Sequence, residues 1–247
     1  MALHGTPSDE VPGILAAGRG DISTLFVSMA TRHPHGHDAE YLRWHTLDHR
    51  PEQHRLSAIR ASLRLVSTPA CRAERAFSAG EFDAVDHVMT YFFTDIDGLQ
   101  AFNELSSALG GADRKVALLP HVERGVYDVA HRVAAARIKI GADVLPWWPA
   151  RGMYLLLEQG DTPLADLPDV DGVAGVWSAS ARDVDRSLAT APAGQHITYC
   201  FLDDEPAAVA ARLRPVLENR WAGGNVEPQF AAPFHLVVPH EWDRYVP

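Results

Sequence analysis

The sequence predicts an α+β chain of two βαββαβ repeats, the second lacking its first helix. Three observations predict it. Strand-like and helix-like segments follow one another in β-α-β-β-α-β order through residue 131. A second run of related segments follows, in which Thr198-Tyr-Cys-Phe-Leu-Asp203 echoes Thr90-Tyr-Phe-Phe-Thr-Asp95 at an offset of 108 residues. Finally, 247 residues suffice for two units of about 100 residues, each with its own core.

Residues 1–21 mix His, Pro, Ser, Asp, Glu and Gly around a short apolar patch. With no basic start or cleavage pattern they read as a flexible tail rather than a signal peptide. Residues 25–31 are an apolar run of strand length, ended by the cluster from His33 to Gly36. Asp38 caps a helix in which Tyr41, Trp44, Leu47 and Asp48 recur at three- and four-residue steps, and Pro51 predicts its end. A second strand follows at 58–67. Residues 87–94, rich in β-branched and aromatic side chains and apolar on both alternating faces, predict a strand covered on both sides. Asp95 and Asp97 then precede Leu99, Phe102, Leu105 and Leu109, the spacing of an amphipathic helix, which Gly110 and Gly111 stop. A fourth strand at 125–131 completes a split βαβ unit of the ferredoxin-like kind.

That unit spans 22–134. Residues 135–150 form a linker whose Trp147 and Trp148 pack on a neighbour, and the second unit spans 151–247. The 108-residue offset also carries Leu105 to Leu213, Leu109 to Leu217 and Val126 to Phe234, which opens a closing strand at 234–238. Upstream, Leu56, Ile59 and Leu65 match Leu167, Val170 and Val176 at an offset of 111. A first strand at 153–158 leads into a Pro- and Asp-rich link at 160–171, which takes the place of the missing helix.

A formal net charge of -10 argues against nucleic acid, whose binding draws on clustered Lys and Arg. No apolar run approaches the roughly 18 to 20 residues of a bilayer span, so no membrane segment is predicted and a cytoplasmic location is expected. Cys71 and Cys200 lack metal-type spacing and are expected as reduced thiols.

The segment Trp44-His45-x-x-x-His49-x-Pro51, followed by a strand centred on Ile59, resembles the first-helix signature of the dimeric α/β-barrel superfamily, in particular its EthD-like and antibiotic-monooxygenase-like branches. The resemblance covers residues 25–131 and reaches 153–246 through the repeat. It implies two ferredoxin-like units whose sheets close into a barrel with helices outside. In a tandem chain that barrel is intramolecular and pseudo-dimeric, so the chain is expected as a monomer, or as a homodimer of such barrels. The superfamily holds cofactor-free monooxygenases, polyketide cyclases, haem-degrading enzymes and muconolactone isomerase-like enzymes, so the fold does not fix the reaction.

On a helix Tyr41, His45 and His49 share one ridge, with Trp44 and Asp48 on the next. An imidazole there, titrating near neutral pH, can exchange a proton with an aromatic or keto substrate. His87 shares a strand face with Met89, Tyr91 and Phe93. The candidate acid–base set is therefore His45, His49, His87 and Tyr91, with Tyr41, Trp44, Met89 and Phe93 as substrate contacts. The same residues also allow a structural role, with His49 bracing the helix end, His45 solvated and the Tyr91 face turned into the barrel. His45-x-x-x-His49 can hold one metal ion, but no HExxH pattern is present and Asp48 offers no third-ligand register. Haem lacks a recognisable axial context, and no cofactor is expected. Two functions follow: a cofactor-independent cyclase, isomerase or monooxygenase for a small hydrophobic, aromatic or polyketide-like molecule, or a non-catalytic ligand-binding or structural barrel.

Overall fold

The computed structural model describes residues 21–114, 118–160 and 166–247; most of the predicted tail and part of the predicted link lie outside them. Eight strands close into a barrel: β1 (Thr24–Ala30), β2 (Ile59–Val66), β4 (His87–Phe93), β5 (His121–Ala134), β6 (Gly152–Gly160), β7 (Val173–Ala181), β8 (Gln195–Leu202) and β9 (Val226–Leu236). A two-residue strand, β3 (Phe77–Ser78), adds to the side of β9. The order β2-β4-β1-β5 in the first half is matched by β7-β8-β6-β9 in the second, the ferredoxin-like arrangement in both. The halves join where β5 meets β7 and where β2 meets β9, so one chain supplies the whole barrel. Pairing is antiparallel throughout these ladders.

One apolar cluster reaches all eight barrel strands and fills the interior, with Leu25, Val27 and Met29 from β1 and Trp177, Tyr199 and Phe234 from the second half. Helix α3 (Gly98–Gly111) covers the outer face of the first half, and α4 (Pro206–Ala222) that of the second. A short α2 (Pro69–Ala73) follows β2, with the Thr68 hydroxyl accepting the Cys71 amide. The linker is anchored by Leu145, which is fully buried, rather than by Trp147, which is half exposed and donates its indole N–H to the Arg60 carbonyl.

The strand offsets between the halves differ from those read in the sequence. Leu25 pairs with Phe92 and Met153 with Phe201, so β4 maps to β8 at 109 residues, not 108. By the same pairings Leu63 maps to Trp177 at 114, not 111, and Tyr127 to Phe234 at 107, not 108. Each correction is odd, and a one-residue slip moves every side chain of a strand to the other face. Tyr91 thus lies under α3, whereas its apparent echo Tyr199 points into the barrel and shares a 2.7 Å hydrogen bond with Thr90. The counterpart of His87 is His196, not Gln195. The helix starts Gly98 and Pro206 keep the offset of 108, because the turn lengths absorb the slip.

Helix α1 does not stop at Pro51. It runs as α-helix over Asp38–Trp44, widens into a π turn over His45–His49, and resumes over Arg50–Gln53. A proline ring clashes with the carbonyl four residues before it, here that of Leu47, and offers no N–H. The wider turn, in which the Arg50 amide reaches the His45 carbonyl, relieves that conflict without breaking the helix. No comparable helix joins β6 to β7 among the described residues, where Leu167–Asp169 forms only a 3-10 turn.

Candidate active site

Between α1, α3 and the outer face of the first-half sheet lies a cavity of about 240 Å³. Strand alternation turns Phe26, Ser28, Met89 and Tyr91 outward into it, α1 contributes Tyr41, Trp44, His45 and His49, and α3 contributes Phe102, Asn103 and Ser106. The Trp44 indole donates to the Arg114 carbonyl at 2.8 Å. The Arg114 guanidinium in turn binds Asp48 through both carboxylate oxygens and Glu52 through one, which ties α1 to the chain beyond α3.

His45 is 4 % exposed. Burial, and then the nearby Arg64, His49 and Arg50, hold its imidazole well below the usual histidine range, so it is neutral at physiological pH. Its Nδ1 has no hydrogen-bond partner, and its ring packs beside Tyr41 and His49 at 5.8 and 5.5 Å between centroids. His49 stacks on Trp44 at 4.9 Å, and its Nε2 accepts a long, 3.4 Å contact from the Gln53 amide. The Tyr91 hydroxyl is buried with no hydrogen-bond partner, and burial pushes its phenol well above the ordinary value. It is therefore a proton donor in hydrogen bonds at any moderate pH.

Of the expected site residues, Tyr41, Trp44, His45, His49, Met89 and Tyr91 line the cavity, whereas His87 and Phe93 do not. Phe93 packs in the layer under α3 with Phe102. His87, fully buried, sits behind Tyr41 and contacts Asp38 Oδ1 through Nε2 at 2.8 Å. Burial lowers its pKa to about 4, although the Asp38 bond opposes the shift. Burial raises the Asp38 carboxyl, but the bonds from His87 and the His33 amide outweigh this and leave it below its ordinary value. The pair is thus a neutral imidazole donating to a carboxylate, which fixes the ring and the first turn of α1 rather than forming an ion pair.

The sequence reading overlooks three cationic or basic side chains. Arg64, on β2, is 3 % exposed and lines the cavity; its Nε and Nη2 make no hydrogen bond, and its Cζ lies 4.8 Å from the centre of the Tyr41 ring. Arg124 and His121, on β5, line the rim and are hydrogen-bonded to each other, with His121 also bonded to Ser28 at 3.2 Å. The available signal was Arg64 itself, a charge set between Leu63 and Leu65 in a strand whose outer face is covered by a helix.

No protein-family model matches the chain, and no curated protein matches it by sequence. Solved structures match by shape. A dye-decolorizing peroxidase from Bacteroides thetaiotaomicron superposes with a TM-score of 0.54 at 6 % identity, over 91 % of this chain and 95 % of its own. A candidate chlorite dismutase gives 0.52 at 11 % identity, over 92 % and 100 %. An anthrone oxidase-like protein is 15 % identical over 89 % and 93 %, with a TM-score of 0.47. The first two share the barrel fold with this chain, and identity this low carries the fold alone. Among the described residues, no three His, Cys, Asp or Glu side chains converge as a metal-binding group. The cavity is small, below the ~300 Å³ at which drug-sized ligand sites begin. Among those residues no helix is long and apolar enough to cross a membrane.

Proposed function

We propose that this protein is a small-molecule enzyme that works through its own side chains, without a bound cofactor, on a compact aromatic or polyketide-like compound. The observation that carries the reading is one cavity lined by a neutral, buried His45 whose Nδ1 has no hydrogen-bond partner and by Tyr91, whose hydroxyl has none. Had His45 and His49 been exposed over a filled core, a structural role would have been the better reading; both are buried.

In this reading His45 is the general base. It removes a proton from carbon next to a carbonyl, the C–H electron pair forms the new C=C bond as the C=O π pair moves onto oxygen, and the Tyr91 hydroxyl donates a hydrogen bond to the oxyanion that develops. The resulting enolate is the common starting point for isomerisation, cyclisation or oxygenation. His49 and Trp44, stacked on each other, hold the ring of the substrate, and the Asp38–His87 pair holds α1 in place. The likeness of the Trp44–Pro51 signature to the antibiotic-monooxygenase-like and EthD-like branches supports the same class of chemistry.

The test is solvent-deuterium exchange into a panel of aromatic ketones and short polyketide analogues, followed by NMR. Wild type should catalyse exchange, and His45→Ala and Tyr91→Phe should each lose at least about 100-fold, the low end for a general base and for one oxyanion donor. Binding without exchange in wild type would reduce the protein to a ligand carrier.

A further inference from the structure

The cavity is a cationic space in an acidic protein. The chain carries 32 Asp and Glu residues and a formal net charge of -10, yet Arg64 and Arg124 line the cavity with no carboxylate among its lining residues, and the lining His45 and His121 are neutral. Arg64 is the informative member. A guanidinium buried to 3 % exposure ordinarily pairs its donors, because an unpaired buried charge is among the most destabilising features a core can hold. Here Nε and Nη2 are both unbonded and closed off from water, so an anion in the cavity that Arg64 lines meets them once the side chain turns toward it. These two N–H groups lie on the same edge of the guanidinium plane, the edge that meets both oxygens of a carboxylate in parallel. The Tyr41 ring, 4.8 Å from Cζ, braces that plane from one side.

We propose that the cavity takes an aromatic molecule bearing a carboxylate, which Arg64 grips through Nε and Nη2 while the ring lies against Met89, Phe102 and Trp44. The proposal deepens the acid–base reading and rests on it for the cavity being the substrate site. It assigns Arg64 as the residue that selects anionic substrates and sets their orientation toward His45.

The probes are 1-naphthoate and its neutral counterpart 1-naphthamide, titrated calorimetrically into the full chain. Naphthoate should bind wild type at least 30-fold more tightly than the amide. Arg64→Met should remove that preference, lowering naphthoate affinity to the level of the amide and leaving the amide within threefold, with a melting temperature equal to wild type or higher. Arg64→Lys, which keeps the charge but not the paired donors, should fall between. Equal binding of the two probes by wild type, no binding of either, or an unchanged preference in Arg64→Met would each overturn the assignment. Should Arg64→Met fail to fold, the wild-type comparison and Arg64→Lys still decide. The acid–base reading is scored separately, by loss of deuterium exchange in His45→Ala.

Discussion

Glu123 lies inside the barrel wall, 7 % exposed, with its carboxyl accepting from the Tyr127 hydroxyl at 3.3 Å and the Gln195 amide at 3.2 Å. Burial raises its pKa to about 7 in spite of those two bonds. A carboxyl raised above its unfolded value favours the protonated form in the folded state. Its contribution is therefore intact below about pH 4.5 and declines as the pH rises to about 7. Glu123→Gln should stabilise the protein by roughly 3 kcal/mol at pH 8 and leave it unchanged near pH 4, measured by urea unfolding across that range. Equal effects at both pH values would show that the carboxyl is not titrating there. His45 has the opposite dependence. Its lowered pKa means that the folded state resists protonation, so its contribution is full above pH 6.5 and is lost as the pH falls. For the same reason the acid limb of the exchange rate governed by His45 should lie well below pH 6.5.

Helix α1 shows how one residue sets a shape that spacing alone does not reveal. Pro51 converts what would be an α-helical turn into a π turn and carries the helix four residues further. Pro51→Ala removes the clash and restores the N–H, so the turn should tighten to α and shift Arg50 to Gln53 around the axis. The expected result is a gain of about 1 kcal/mol in stability, part of the ~3 kcal/mol that an interior proline costs, together with at least a tenfold loss of exchange activity. Wild-type activity in the more stable variant would mean that the π turn has no part in the site. Much of this element was legible in the sequence: the ridge of Tyr41, His45 and His49 does face the cavity, because four-residue spacing keeps side chains together in both helix types. The strands were legible in number and order but not in register. Runs such as 87–94, apolar on both faces, carry no alternation to say which face is which, and so an echo of Tyr91 in Tyr199 could match in letters and oppose in space. Arg64 escaped notice because a lone charge in a strand says nothing until the helix covering it is placed.

At the scale of the whole molecule, the two joins of the barrel are unequal. β5 and β7 pair over seven residues, from Tyr127 with Ala181 to Ala134 with Gly175, whereas β2 and β9 pair only at Leu65 with Leu236 and Val66 with His235. One further bond extends the short join, from the Val237 amide to the Arg64 carbonyl at 2.8 Å. The backbone of Arg64 is thus held by the second half of the chain while its side chain faces the cavity of the first. A ligand that immobilises the guanidinium is therefore expected to steady the short join, and by reciprocity a stronger join is expected to strengthen ligand binding. Hydrogen exchange should report this. Adding 1-naphthoate should slow the Val237 amide in wild type but not in Arg64→Met, with α4 amides unchanged in both. Val237→Pro, which removes the donor, should weaken naphthoate about fivefold. Loss of the join without loss of affinity would separate the two. Where affinity falls with the join, the half of the chain that lacks a first helix is the fixed end of a clasp, and the free energy of closing the barrel is part of the affinity of a pocket it does not line.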